Sequence, residues 1–318
     1  MPHCRYGFPM HVIVTGGAGF IGAHSVRALL QRGHRVSVVD DLSHGRQEAV
    51  PEGARLSVLD VREPALFRLF EQERPDAVLH LAAQMDVRKS VADPLYDASI
   101  NVLGTLGALE AARRVGTKRF VFASSGGAVY GEQDAFPAPE SHPRRPASPY
   151  GVSKLCGEEY LAHYALVHGM SVLALRYANV YGPGQDPHGE AGVVAIFLDK
   201  LLSNQVATIN GDGLQTRDYV YVGDVARANV LGLEAPACTG ALNIGTGTET
   251  TVVDLARQLA RHAGVQPRFS HGAAKPGEQR RSSVDPTAAR RALGWSPEVA
   301  LGEGLARTAR FFREAKQR

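Results

Sequence analysis

The run Val12-Ile13-Val14-Thr15-Gly16-Gly17-Ala18-Gly19-Phe20-Ile21-Gly22 decides the fold of this chain. Its first four residues are all β-branched and suit a strand. After Thr15 the pattern changes to glycines at 16, 19 and 22, and from Phe20 to Arg32 it becomes helical. Strand, glycine turn and helix N-terminus in that order make a phosphate cradle: one glycine permits the tight turn, the next permits close backbone approach, and the helix offers free N–H groups. The spacing is G-x-x-G-x-x-G, and its context is the one a dinucleotide fingerprint requires. Gly16, Gly19 and Gly22 therefore read as cofactor-binding residues.

Working outward, short apolar runs follow at 11–15, 35–40, 54–60, 76–82, 118–124 and 170–177. Both parities of these runs are apolar, as expected of parallel strands covered on both faces. Helical patterns lie between them at Phe20–Arg32, Pro64–Glu73, Pro94–Val115 and Pro149–His168, three of them opening with the proline that suits a first helical turn. The alternation predicts an α/β fold, a doubly wound parallel sheet of Rossmann type over residues 10–177. Beyond Tyr177 glycine- and proline-rich stretches interrupt shorter elements, with helices near Val193–Leu202, Asp224–Leu233, Val252–His262 and Leu301–Arg313. Residues 178–318 are thus expected to form a smaller, mainly substrate-binding lobe. Its segments Tyr219–Val222 and Ala241–Ile244 are expected to return to the first sheet.

Composition narrows the classes. The chain has 318 residues, enough to bury a core without disulfide or metal staples, so no metal is expected. Its 35 Lys and Arg against 32 Asp and Glu leave a net charge of only +3, which argues against nucleic acid as a partner. Apolar runs are strand-sized, so no membrane association is expected. Residues 1–9 lack a signal-peptide core, and the three scattered cysteines suit a reducing compartment; a cytoplasmic protein is expected.

Asp40 ends the second strand 18 positions after Gly22, where a carboxylate accepts hydrogen bonds from ribose hydroxyls and repels a 2′-phosphate. That favours NAD over NADP, with Arg46 as the counter-signal. Asp60 has two readings, one at the adenine edge and one as a turn or cap before Pro64.

Ser148-Pro149-Tyr150-Gly151-Val152-Ser153-Lys154 carries the chemistry. With Ser148 as N-cap and Pro149 as first helical residue, Tyr150 and Lys154 fall on one face at i and i+4. A tyrosine with an ordinary pKa near 10 is a poor base at neutral pH. A lysine ammonium one turn away, with a positive nicotinamide, is expected to lower that value, so that Tyr150 takes a proton from an alcohol while hydride leaves the same carbon. Ser124 and Ser125 end the strand at 118–124, on the edge that faces the ligand crevice. Ser125 stands 25 residues before Tyr150.

Ser125, Tyr150 and Lys154 match the catalytic set of the short-chain dehydrogenase/reductase family, and the chain resembles its extended, nucleotide-sugar subgroup. The matches run in order from Met10: TGGAGFIG, VVDDLSHG, HLAAQ, Asn101 in INVLGT, SSGGAVYG, SPYGVSK, LRYANVYGP, DGLQTRDYVYVGDVA, LNIGTG and LGWSP. Within the subgroup the pattern is most similar to the UDP-glucose 4-epimerases. The resemblance implies a retained NAD held by Phe20, Ile21, Asp41, Val61, Leu81, Ala82, Ala83, Asn101 and Tyr177 besides the residues above. It implies oxidation of a UDP-sugar at C4, rotation of the 4-keto sugar, and hydride return to its opposite face, interconverting UDP-galactose and UDP-glucose. Tyr150 would take the hydroxyl proton, Ser125 would bind the same oxygen and Lys154 would hold the nicotinamide ribose. Asn179, Val193, Thr208, Asn210, Arg217, Lys275, Glu278 and Ser282 match substrate-binding positions. Lys275 stands where relatives usually carry arginine, and Asn210 where many carry an aromatic beside the uracil; asparagine suits a backbone contact there better than a stacking one. A homodimer through paired helices is also implied.

Dehydratase relatives carry an acid after the strand-end serines; here Gly126, Gly127 and Ala128 can supply neither acid nor base, which disfavours dehydration. Ser282 is small where the sugar's C2 substituent is expected, so a UDP-N-acetylglucosamine substrate is an alternative, as is UDP-glucuronate. A non-catalytic NAD-binding redox sensor is the reading from a different class, and the intact Ser125, Tyr150 and Lys154 weigh against it.

Overall fold

The computed structural model describes residues 9–188, 192–274 and 279–317. The N-terminal part runs β1 (His11–Thr15), α1 (Phe20–Gln31), β2 (Arg35–Asp40), β3 (Arg55–Val58), α2 (Ala65–Glu73), β4 (Ala77–His80), α3 (Val87–Ala92), α4 (Pro94–Ala98), a π-helical turn (Ser99–Gly104), α5 (Thr105–Arg114), β5 (Arg119–Ser125), α6 (Gly126–Val129), α7 (Pro149–His168) and β6 (Ser171–Tyr177). There follow β7 (Asn179–Tyr181), α8 (Val193–Leu202), β8 (Ala207–Asn210), β9 (Thr216–Arg217), β10 (Tyr219–Tyr221), α9 (Val222–Glu234), β11 (Gly240–Ile244), β12 (Thr250–Thr251), α10 (Val252–Ala263), β13 (Phe269–Gly272), α11 (Thr287–Leu293) and α12 (Leu301–Gln317).

Seven strands form one parallel sheet in the order β11-β6-β5-β4-β1-β2-β3. The alternating parity of each strand feeds two cores. Val12 and Val14 point to the side of Val225 and Trp295, whereas Ile13 points to the side of Phe70, Leu109 and Leu161. A third cluster, built from Phe197, Leu198, Leu255, Leu259, Leu305 and Phe312, holds α8, α10 and α12 together as the smaller lobe. Among the described residues no helix is long and apolar enough to cross a membrane.

The helix ends follow the local chemistry. Ser148 Oγ accepts from Gly151 N at 3.1 Å, Pro149 opens α7, and Gly169 closes it with φ +64°. Asp93 caps α4 in the same way through Tyr96 N at 2.9 Å, again followed by proline.

Two expectations change. Ala241–Ile244 does extend the sheet, pairing in parallel with β6. Tyr219–Tyr221 does not: among the described residues β10 pairs with β7 alone, in a separate two-stranded parallel sheet, and Val222 already begins α9. Its edge is taken by β7, and α9 begins directly after Tyr221. The helix expected over 94–115 is also interrupted, because six of its residues take the wider π turn that carries Asn101.

Candidate active site

The sheet order reverses beside β1, whose neighbours are β2 on one side and β4 on the other. That is where the carboxyl ends of the strands open a crevice. Thr15 lies level with Val39 of β2 and with His80 of β4, and Ser125 lies level with Tyr177 of β6. A groove follows this edge. Its walls include Gly16, Gly19, Phe20, Ile21 and Gly22 after β1, and Asp40, Asp41, Asp60 and Val61 beside β2 and β3. Leu81, Ala82 and Ala83 line its middle, and Tyr150, Lys154 and Tyr177 its far end.

The glycine loop is closed so tightly that side chains have no room. A Cβ at Gly22 would stand 2.1 Å from Gly16 O, and one at Gly16, whose φ is +69°, would stand 2.7 Å from Ala82 N. Asp40 stiffens the cradle, accepting from Ala18 N through Oδ2 and from Leu42 N through Oδ1, both at 2.9 Å. Burial raises its pKa and these two backbone bonds oppose the rise. A carboxylate beside a bare backbone cradle fits a ribose and a diphosphate, so the residues present suit NAD. Asp60 makes the local turn, accepting from Arg62 N at 2.8 Å and from the Arg62 guanidinium, which lowers its pKa, and it also lines the groove.

Asn101 stands behind the groove. Its Oδ1 accepts from Gln84 N at 2.9 Å, and its Nδ2 donates to Gln84 O at 2.8 Å and to Asp97 Oδ1 at 2.9 Å. The side chain is therefore fully engaged in shaping the loop after β4.

At the reacting end, Lys154 is 3% exposed, and its Nζ lies 4.8 Å from the Phe122 ring centroid and 5.7 Å from that of Tyr150. Burial lowers the lysine pKa to about 8, against an opposing pull from Asp97. The expected lowering at Tyr150 is absent from the protein by itself: burial pushes its pKa up, and the Asp97 charge adds to the rise. A buried phenolate needs more positive charge than one lysine supplies. His80, buried between Thr15 Oγ1 and Thr105 Oγ1, falls to about 3 through burial and the Lys154 charge, and stays neutral.

The two strand-end serines divide their work. Ser124 lines the groove, but its hydroxyl donates to Glu158 Oε1 at 2.5 Å, inside a buried pair that Glu158 makes with Arg176. Ser125 is half-buried and caps α6, accepting from Ala128 N at 3.3 Å. Its hydroxyl proton is left for another acceptor. A Cβ at Gly126 would meet Val284 at 2.7 Å, while one at Gly127 would lie 3.8 Å from Ser282 Oγ and 3.9 Å from Asn179 Oδ1. Gly127 is thus the position from which a longer side chain would reach Ser282 and Asn179.

A second cleft begins two residues beyond Tyr177 and is lined by Asn179, Val193, Thr208, Asn210 and Arg217. Arg217 also donates to Thr216 O at 2.7 Å. The Asn210 carbonyl accepts from Gln215 Nε2 at 3.1 Å, so that backbone group is already engaged. Ser282 is buried at 3% exposure. Lys275 and Glu278 lie outside the described residues. Sequence reasoning missed Gln185, a cleft residue whose buried Oε1 has no hydrogen-bond partner among the described residues. It also missed Ser43, His44 and Gly45 beside Asp40. Nothing in their spacing marks them.

The groove marks a dinucleotide-binding α/β protein with a second cleft in its smaller lobe, and comparison gives the family. Residues 12–245 match the NAD dependent epimerase/dehydratase family, and the chain belongs to it. Among relatives, the UDP-glucose 4-epimerase of Mycolicibacterium smegmatis is 45% identical over 97% of this chain and 100% of its own. The UDP-glucose 4-epimerase of Thermotoga maritima, solved with UDP-glucose, superposes with a TM-score of 0.93 at 44% identity, covering 96% of this chain and 100% of its own. That of Thermus thermophilus, solved with NAD, gives 0.92 at 45% identity over the same shares.

Proposed function

We propose that this chain inverts C4 of a UDP-hexose, interconverting UDP-galactose and UDP-glucose, with residues 10–177 holding NAD and residues 178–318 mainly holding the UDP-sugar. The observation that carries this is the placement of Tyr150, Lys154 and Tyr177 in the dinucleotide groove, with Asn179, two residues further on, lining the second cleft and lying 3.9 Å from a Cβ built at Gly127, two residues after Ser125.

NAD, when bound, would supply a hydride acceptor and donor and a positive charge, held by the glycine loop, Asp40 and Lys154. Tyr150 takes the proton of the C4 hydroxyl as the C–H bond breaks, and returns it when the opposite face of the 4-keto sugar is reduced. Lys154 stabilises the phenolate and Ser125 donates to the sugar oxygen. Arg217 grips the diphosphate, a remote anchor that lets the hexose turn without leaving. Gln185, with a free buried acceptor, suits a hydroxyl or N–H of the substrate.

The small Ser282 and the open side of Gly127 support a second substrate, UDP-N-acetylglucosamine. A homodimer is supported by the exposed apolar residues of α3, α4, α7 and the π turn, among them Val91, Leu95, Leu103, Val152 and Leu166. The test of the main reading is conversion of UDP-galactose by purified protein with no NAD added. Wild type is expected to form UDP-glucose and Tyr150→Phe to fall by at least roughly 10²-fold. Protein that carries NAD yet converts nothing refutes it.

A further inference from the structure

Asp97 is a fully buried carboxylate at the core of the site, outside the set that the chemistry names. It lies on α4, and α4 packs against α7. Its Oδ2 accepts from Ser153 Oγ at 2.6 Å, and Ser153 is the residue directly before Lys154 on α7. Its Oδ1 accepts from Gln84 Nε2 at 3.1 Å and from Asn101 Nδ2 at 2.9 Å. Gln84 in turn lines the dinucleotide groove, and Asn101 clamps the Gln84 backbone from both sides. All three partners are donors, so the Asp97 carboxylate accepts three hydrogen bonds inside the fold.

We propose that Asp97 is a positioning residue: it ties the catalytic helix through Ser153 to the loop after β4 through Gln84, and sets a buried negative charge against the Lys154 ammonium. Burial of the lysine favours its neutral form, and the Asp97 charge opposes that loss. The same charge disfavours the Tyr150 phenolate. Asp97 therefore moves both groups in one direction on the pH scale, trading some phenolate for a lysine that stays charged.

The other ionisable groups around the pair are engaged or neutral. His80 of β4 is uncharged, and the Tyr177 hydroxyl of β6 donates to Asn229 Oδ1 at 2.6 Å. Glu158, on the next turn of α7, pairs with Arg176, and Asp86 pairs with Arg88 of α3. Lys89 and Asp93, at the corner of α3 and α4, are exposed.

The proposal rests on the epimerase reading, and two variants test it apart from that reading. Asp97→Asn is isosteric: its amide oxygen still accepts from Gln84 and Asn101, and its NH₂ donates to Ser153 Oγ, so the fold is retained while the charge is removed. Both limbs of the kcat–pH profile are expected to move down by about one pH unit. Near-ultraviolet titration of the tyrosinate, with Tyr150→Phe as the blank, is expected to show the same downward move without relying on turnover. Ser153→Ala keeps the charge and cuts the tether; kcat is expected to fall by about tenfold with the limbs in place. Wild-type limbs and titration in Asp97→Asn, or wild-type kcat in Ser153→Ala, overturn the assignment. An inactive wild type whose tyrosinate titration still shifts on Asp97→Asn refutes the epimerase reading alone.

Discussion

Lys154→Met separates what the catalytic helix contributes to chemistry from what it costs the fold. The lysine is 3% exposed and its pKa is lowered to about 8 from an ordinary 10.5. That fall corresponds to roughly 3 kcal/mol against the charged form at neutral pH. Methionine fills much of the same volume against Phe122 and needs no solvation; it forfeits a cation–π contact of about 1 kcal/mol. The variant is therefore expected to be more stable than wild type by about 2 kcal/mol near pH 7. The sign with pH follows from linkage. The folded-state pKa lies below the unfolded one, so between the two values the unfolded wild-type chain holds more protons, and wild-type stability climbs with pH relative to the variant. The advantage of methionine is full below about pH 8 and fades towards about pH 10.5. Urea unfolding of both proteins near pH 7 and about pH 10 measures it, with bound NAD quantified because a ligand stabilises whichever protein retains it. The kcat of the variant is expected to fall by at least roughly 10²-fold. A variant less stable than wild type at both pH values, or a difference that does not change with pH, refutes the reasoning.

Gly22→Ala places a Cβ 2.1 Å from Gly16 O, so the loop must open; loss of copurifying NAD and a stability loss of about 2 kcal/mol or more are expected from absorbance and urea curves. Ser125→Ala is expected to lower kcat by about 10²-fold, with a stability loss of only about 1 kcal/mol from the lost α6 cap. Ser124→Ala removes a donor from the buried Glu158 and is expected to cost about 1–3 kcal/mol of stability with a smaller effect on kcat. Ser282→Tyr puts a large side chain where Ser282 Oγ lies 3.8 Å from a Cβ built at Gly127; competition between the two UDP-sugars is expected to show turnover of the N-acetyl sugar lost and that of UDP-glucose retained.

The dinucleotide groove was readable because its signals are local. Gly19 and Gly22 are fixed by contacts within their own turn, Gly16 by its positive φ as well as by the chain at Ala82, and Ser148, Pro149 and Gly169 announce both ends of α7. What escaped depends on partners far along the chain. Tyr219–Tyr221 looks like any apolar strand, and only its pairing with Asn179–Tyr181 keeps it from the central sheet. The π turn at Ser99–Gly104 leaves no mark in apolar periodicity. Asp97 has exposed neighbours in sequence from Val91 to Tyr96, so nothing around it suggests a buried carboxylate. The upward shift at Tyr150 likewise arises from burial that spacing cannot report.

The central claim is that one carbon of the sugar is oxidised and reduced again within one closed site, with Tyr150 moving the proton. The direct measurement uses UDP-galactose deuterated at C4, in ordinary water and with no added NAD. The claim predicts UDP-glucose that keeps the deuterium at C4, because the hydride never exchanges with solvent. UDP-glucose formed with hydrogen at C4 would contradict it.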